Sequence, residues 1–266
     1  MKLSILINHY QAPHLLKLCL RHLYDNLPQD IEREIIVVDG ESVKKTQKMI
    51  TELFPSVIFI PIKDNVGFTK MVNLGLKQCQ GEYILILNAD IIMHQKETIS
   101  KMIEYFDQHP RAGLLGPQLL NMDGSIQNSC FHFYTPLSII FRRTFLGKTK
   151  WGQKIINHLL MNNTDKTKPI VVDWLMGSAL FTKKKIIEKV GLFDERYFMY
   201  FDDVDWCKKF WQAGYEVIYF PNAQMYHYHI QASKKGFGIF DIFFSKYTRI
   251  HILSAIKYFW KWGVRW

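Results

Sequence analysis

The chain has 266 residues, of which 48% are hydrophobic, enough to bury the core of one large α/β domain plus an appendage. Thirty-four Lys and Arg against 24 Asp and Glu give a formal net charge of +10, which calls for an acidic partner such as a nucleotide diphosphate, an anionic lipid or a nucleic acid. Cys19, Cys79, Cys130 and Cys207 are far apart and lack zinc-like spacing, and the N-terminus runs straight into a strand, so the expected setting is reduced and cytosolic with no targeting peptide.

In chain order, Leu3 to Ile7 reads as a strand. After Pro13, His14 to Tyr24 reads as a helix with Leu15, Leu18, Cys19 and Leu23 at helical spacing. Ile35 to Val38 is next as a strand, Val43 to Leu53 as a helix, and Val57 to Ile60 as a strand closed by Pro61. Thr69 to Cys79 reads as a helix, Tyr83 to Leu87 as a strand, and Glu97 to Gln108 as a helix that stops before Pro110. Strands alternating with helices of this length predict a mostly parallel, doubly wound sheet. The first strand leads into Asn8-His-Tyr-Gln-Ala-Pro13, not a Gly-x-Gly-x-x-Gly turn, which argues against a dinucleotide oxidoreductase. No recognised nucleic-acid motif accompanies the positive charge, so no nucleic-acid partner is expected.

Two buried-strand patterns end at acids. Glu34-Ile-Ile-Val-Val-Asp39-Gly40 is one, and Gly81-Glu-Tyr-Ile-Leu-Ile-Leu-Asn-Ala-Asp90 is the other. Ligands of open α/β sheets gather at the carboxyl ends of strands, so Asp39 and Asp90 suggest one shared ligand edge. A hard cation such as magnesium takes oxygen ligands and keeps substrate phosphates in its shell, so a single protein carboxylate there can suffice. An Asp that merely forms a turn after the strand is the alternative.

Residues 121 to 170 break the alternation with a turn at Asp123-Gly124, aromatics, and a basic set at Arg142, Arg143, Lys148 and Lys150. They read as a mobile or irregular insertion, either packed with a solvated basic edge or in contact with an acceptor or membrane. Trp174 to Phe181 is expected as a strand, Lys183 to Val190 as a short helix, Val204 to Ala213 as a helix and Val217 to Phe220 as a strand. Between them lies Gly191-Leu-Phe-Asp-Glu-Arg-Tyr-Phe-Met-Tyr-Phe-Asp-Asp-Val-Asp-Trp206, which crowds Asp202, Asp203 and Asp205 among aromatics. Crowded carboxylates in an apolar setting raise at least one pKa and prepare a general base or a cation site; the alternative is a helix N-terminus capped by an acid.

From Phe237 to Trp266 aromatics alternate with Lys246, Arg249, Lys257, Lys261 and Arg265. Cations interrupt this stretch too often for a spanning helix. Apolar residues on two sides (Phe240, Phe243, Phe244, Tyr247 and Ser254 to Tyr258 against Ile242, Ile252 and Ile256) predict contact with both the main domain and a lipid surface, unless the helix packs in the core or against another copy.

The series of motifs resembles a family 2 glycosyltransferase, most closely the rhamnosyltransferase-like branch. It runs through Lys2 to Tyr10, Val37 to Ser42, Asn65-Val-Gly-Phe68 with Asn73, Leu87-Asn-Ala-Asp90, Trp174-Leu-Met-Gly177, Gly191 to Trp206, and Pro221 to His227. The resemblance spans roughly residues 2 to 233 and implies a GT-A nucleotide-diphospho-sugar transferase fold over residues 1–235, with an aromatic and basic helical segment over 236–266. It implies an inverting transfer of a sugar to a hydroxyl of a glycan or lipid-linked acceptor in cell-surface polysaccharide assembly, with L-rhamnose from dTDP-rhamnose favoured and UDP-sugars open. A nucleotide-sugar-binding module without catalysis is the other reading.

By that resemblance Asp39 contacts the base or ribose, while Asn65, Gly67 and Asn73 shape the donor loop and helix. Asp90 holds Mg2+ or Mn2+ on the diphosphate in an Asn-Ala-Asp motif that lacks the first acid of Asp-x-Asp. His227 is a second metal or phosphate contact, with His229 an alternative and a purely structural histidine another. Asp203 is the general base, with Asp202 raising its pKa by repulsion. Asp205, Trp174 and Gly177 support the site or the acceptor. Asp202 replaces the usual Glu of the motif, Trp206 the usual Leu, and Asn8-His-Tyr-Gln11 the usual strand end. The expected location is the cytoplasmic face of a membrane, bound peripherally through the C-terminal segment.

Overall fold

A computed structural model describes residues 2–228 and 246–263. Its first half alternates β1 (Leu3–Tyr10), α1 (Pro13–Asn26), β2 (Arg33–Gly40), α2 (Lys44–Leu53), β3 (Ile58–Ile62), α3 (Phe68–Leu76), β4 (Tyr83–Asn88), a short β5 (Ile91–Met93) and α4 (Thr98–Gln108). The second half contains β6 (Ala112–Leu120), β7 (Ile126–Gln127), β8 (Cys130–Phe131), α5 (Pro136–Arg143), α6 (Lys150–Leu159), β9 (Ile170–Val171), β10 (Trp174–Leu175), β11 (Ala179–Lys183), α7 (Lys184–Val190), α8 (Asp202–Gln212), β12 (Glu216–His227) and α9 (Lys246–Trp262).

The main sheet runs β3-β2-β1-β4-β11-β6-β12-β5. Its first four strands are parallel, β11 is antiparallel to both β4 and β6, and β12 is parallel to β6. The apolar runs of β1, β2 and β4 are buried, as strands covered by helices on both faces require. Register places His9 beside Asp39 and Asn8 beside Asn88, so all three carboxyl ends reach one edge.

Several elements differ from the sequence reading. The inward face of α1 is Leu16, Cys19, Leu20 and Leu23, and Leu18 is exposed. The stretch Trp174 to Phe181 is two strands broken at Met176–Ser178, because the Gly177 turn carries the chain from β10 into β11. Residues 121–170 are not irregular. They hold α5 and α6, the first opened by Pro136 and a capping box in which Thr135 accepts from the Ser138 amide and Ser138 accepts from the Thr135 amide. The β12 strand passes through Pro221 by a register shift and reaches His227. Helix α8 begins two residues earlier than expected, at Asp202. No helix among the described residues is long and apolar enough to cross a membrane. His229 and the tail residues Phe237, Phe240, Ile242, Phe243, Phe244, Arg265 and Trp266 lie outside the described residues.

Candidate active site

A cleft of about 270 Å3 opens at the carboxyl ends of β1 and β4. Its walls include Asn8, His9, Asn65 and Asp90, and on the far side Phe198, Met199 and Tyr247 of α9. The Gly191–Trp206 stretch therefore closes over the strand ends. The Phe68 amide donates to the Phe198 carbonyl (2.8 Å), which seats this loop on α3.

Asp39 reaches the cleft wall through His9. The Ala12 amide donates to His9 Nε2 (2.9 Å), so that nitrogen is an acceptor and Nδ1 carries the proton given to Asp39 Oδ1 (2.6 Å). Asp39 is 1% exposed, and among the described residues its Oδ2 has no hydrogen-bond partner; neither do Asn8 Oδ1, Asn8 Nδ2 and Asp90 Oδ1, all buried. Buried polar atoms left unpaired are destabilising, so such a group at one sheet edge is what a polar ligand completes.

Asp90 Oδ2 lies 3.4 Å from His227 Nε2. The other ring nitrogen of His227 is 2.7 Å from Gln127 Oε1, a contact that fixes the ring with Nε2 toward Asp90. β12 pairs with β5 with His227 opposite Ile91, and the Tyr228 amide donates to the Asp90 carbonyl (2.8 Å). One carboxylate and one imidazole, with a buried oxygen unpartnered, fit a divalent ion that takes its other ligands from phosphate and water. No group of three or more His, Cys, Asp or Glu among the described residues forms a self-sufficient metal site.

The acids open α8 from a strained turn. Tyr200 (φ 68°) and Phe201 (φ 61°) are consecutive left-handed residues, a conformation that costs about 1–2 kcal/mol per non-glycine residue. Phe201 is held there between Tyr134 (ring centroids 5.1 Å apart), His251 (5.2 Å) and Tyr258 (5.4 Å). Asp203 Oδ2 accepts from the Gly177 amide (3.1 Å) and Oδ1 from the Val204 amide (2.9 Å). The next residue of that turn, Ser178, accepts from the Asn88 amide (2.9 Å), which joins the Asp203 turn to the strand end that carries Asp90.

Burial pushes the Asp203 carboxyl up to about 6, against the lowering effect of the amide donors. Asp202 is raised well above the ordinary carboxylate range by burial first and then by the charge of Asp203. Burial is the main cause of both shifts, and of the two carboxyls Asp203 is the one whose ionised form the Gly177 and Val204 amides favour.

Other expected residues hold the site's frame. Asn65 accepts from the Gly67 amide (3.1 Å) while lining the cleft. A side chain on Gly67 would meet Phe198 at 2.7 Å, and the residue sits at φ +87°, so its close approach is to the acid loop. Asn73 is not part of the cleft wall; its amide group exchanges hydrogen bonds with the Phe193 backbone (2.9 and 3.0 Å) and donates to Glu195 (3.0 Å). Trp174 stacks on Phe131 at 4.3 Å and donates to the His132 carbonyl. Asp205 is turned toward α9, where it meets Lys261 and Trp262. The sequence alone assigns no role to His9, Asn8 or Tyr134. The signal for His9 is its register opposite Asp39, legible only once the strand order is known.

The glycosyl transferase family 2 model matches residues 4–177. The N-acetylglucosaminyl-diphospho-decaprenol L-rhamnosyltransferase of Mycobacterium tuberculosis is 25% identical over 87% of the chain and 78% of its own length. The rhamnosyltransferase WbbL of Escherichia coli is 26% identical over 90% of the chain and 87% of its own. Among solved structures, GalNAc-T7 with UDP, GalNAc and Mn2+ superposes with a TM-score of 0.65 at 14% identity, over 86% of the chain and 44% of that protein, so the chain spans less than half of its length.

Proposed function

The chain belongs to glycosyltransferase family 2, and from that premise we propose that it is an inverting, metal-dependent transferase moving L-rhamnose from dTDP-rhamnose to a hydroxyl of a lipid-linked glycan in surface-polysaccharide assembly. The observation that carries this reading is the unpaired set at one sheet edge, Asn8, Asp39 Oδ2 and Asp90 Oδ1, joined to the Asp203 turn through Gly177, Ser178 and Asn88. The rhamnosyltransferase relatives support the sugar, and the name of the mycobacterial enzyme supports a diphosphate-linked lipid acceptor.

The Asn8 carboxamide offers a donor for one carbonyl and an acceptor for the N3–H of the imide edge of thymine, and Asp39 Oδ2 offers an acceptor for a hydroxyl of the nucleotide sugar. Uracil carries the same edge, and UDP in the GalNAc-T7 structure keeps UDP-sugars as a second donor class. Asp90 and His227 would hold Mg2+ or Mn2+, which neutralises charge building on the departing diphosphate. Asp203, ionised above pH 6, takes the proton of the attacking hydroxyl; its two amide donors fix its orientation. A single base and direct displacement invert the anomeric centre. Exposed apolar and basic residues on α9 support a peripheral position on the cytoplasmic face of a membrane.

The deciding experiment incubates the full chain with dTDP-L-rhamnose or UDP-sugars, Mg2+ or Mn2+, and an N-acetylglucosaminyl-diphospho-polyprenol, with products read by mass spectrometry. Rhamnosyl product from the dTDP donor is expected. Tight donor binding without turnover on that acceptor would leave a binding module in its place.

A further inference from the structure

The cleft and the core leave one large surface unexplained. Ile140, Phe145, Leu146 and Trp151, from α5 to α6, are exposed, as are Tyr247, Leu253, Ile256 and Trp260 on α9, the last at 82%. Between α5 and α9 lies an open groove of about 770 Å3, walled by Ile139, Ile140, Ile252, Ile256, Phe259 and Trp260. Its volume lies within the range of small-molecule sites. Its lining runs from Thr248 past the end of α9, which at 1.5 Å per residue is roughly 20 Å. This is a long, two-walled trough, whereas a helix that only rests on a bilayer needs a single apolar stripe.

The groove has a cationic part. Arg143 stands in its wall beside Arg142, and among the described residues neither guanidinium has a carboxylate partner. Burial, then the charges of Arg143 and Arg142, hold the His251 imidazole down to about 4, so that groove residue adds no charge at neutral pH. Arg142 Nη1 donates to Tyr134 Oη (2.9 Å), and the Tyr134 ring packs on Phe201 (5.1 Å) and Trp174 (5.4 Å). Phe201 precedes the paired acids and Trp174 precedes the Gly177 turn, so Tyr134, which both arginines and Asp203 influence, links the cations to the acid turn.

We propose that this groove binds the isoprenoid chain of a polyprenyl diphosphate, with Arg142 and Arg143 on the diphosphate and the attached sugar directed to Asp203. The proposal rests on the reading of the chain as a transferase with a lipid-linked acceptor, and adds where that lipid sits. An apolar chain in the groove removes Ile140, Ile256 and Trp260 from water, and a diphosphate supplies the anion that the two arginines lack among the described residues.

The test is calorimetric titration of the full chain with geranylgeranyl diphosphate, inorganic diphosphate, and vesicles of phosphatidylglycerol and phosphatidylcholine. Geranylgeranyl diphosphate should bind well above inorganic diphosphate. Arg143→Glu and Ile256→Asp, both at exposed positions, should each weaken it by about tenfold or more, the loss expected for a charge-assisted contact or a buried aliphatic side chain. Binding of dTDP or UDP should be unchanged in both variants, which marks them as folded. Equal affinity for the two diphosphates, or variants that lose only vesicle adsorption, overturns the groove and makes the surface a bilayer contact. A dimer that Ile256→Asp dissociates overturns it in favour of a second copy. Wild-type chain that binds neither dTDP nor UDP overturns the transferase reading instead.

Discussion

Lys261, half-buried, and Asp205, buried, form an ion pair, with Lys261 Nζ 2.8 and 2.9 Å from the two carboxylate oxygens. Asp205 is 0% exposed and also accepts from Trp262 Nε1 (2.7 Å) and the Tyr197 hydroxyl (3.2 Å). It stands two residues after Asp203 on the first turn of α8, so the C-terminal helix is fastened to the acid loop. Ser254 and Lys257 add bonds to the Met199 and Arg196 carbonyls, and Lys261 also pairs with Asp194 (2.9 Å).

Lys261→Met should therefore destabilise the fold by about 2–4 kcal/mol, because it leaves a buried carboxylate without its cation while Tyr197 and Trp262 still donate to it. Urea unfolding measures this. Asp205→Asn combined with Lys261→Met should lose less than the sum of the two single changes, since both remove the same pair. Strict additivity would mean that the two side chains do not interact in solution.

The parallel half of the fold is legible in the sequence because β1, β2 and β4 are apolar runs closed by turn residues, and Asp39 and Asp90 can be read at their ends. Beyond Leu120 the local signals are weaker. Helix α5 has eight residues and its signal is the Thr135-Pro136 start, too short for helical periodicity to stand out. β6 carries Pro117 inside a buried strand, which argues locally against a strand and is overridden by its pairing with β11 and β12. Within the site, the acidic cluster is visible in the sequence, but the division of labour among its members is not. Asp205 faces Lys261, 56 residues away, and no pattern in Gly191–Trp206 foretells that contact.

Asp203 should set the acid limb of the pH profile. It must be ionised to accept a proton, so turnover should fall as pH drops through about 6. Asp203→Asn keeps the shape and one of the two amide contacts, since its NH2 group cannot accept, and removes the base. Turnover should drop by about a hundred- to ten-thousand-fold with donor affinity little changed.

The same shift has a stability sign. A carboxyl with a folded pKa near 6 and an unfolded value near 4 contributes stability below about pH 4 that is lost as pH rises through about 6. The melting temperature of Asp203→Asn relative to wild type should accordingly be higher at pH 8 than at pH 4. A pH-independent difference would place Asp203 in a solvated setting and remove the physical basis for its role as a base.

Asp90 and His227 should separate metal-dependent from metal-independent donor binding. Asp90→Asn keeps a ligand oxygen but loses the charge, and His227→Gln loses the ring nitrogen that the contact with Gln127 turns toward Asp90. Thermal shift with dTDP or UDP reports on native-state binding, because a ligand that binds only the folded chain raises its stability. With wild type, Mn2+ should enlarge the shift given by the nucleotide; with either variant that enhancement should shrink, while the shift without metal stays. The proposed contacts of the nucleotide are Asn8 and the His9–Asp39 pair, on β1 and β2, and not the altered side chains themselves. If the variants keep the full Mn2+ enhancement, the cation is held by other groups, and Asp90 with its unpartnered oxygen acts on the sugar or the acceptor instead. If they lose nucleotide binding with and without metal alike, the two residues support the cleft as a whole and the assignment of a cation to them fails.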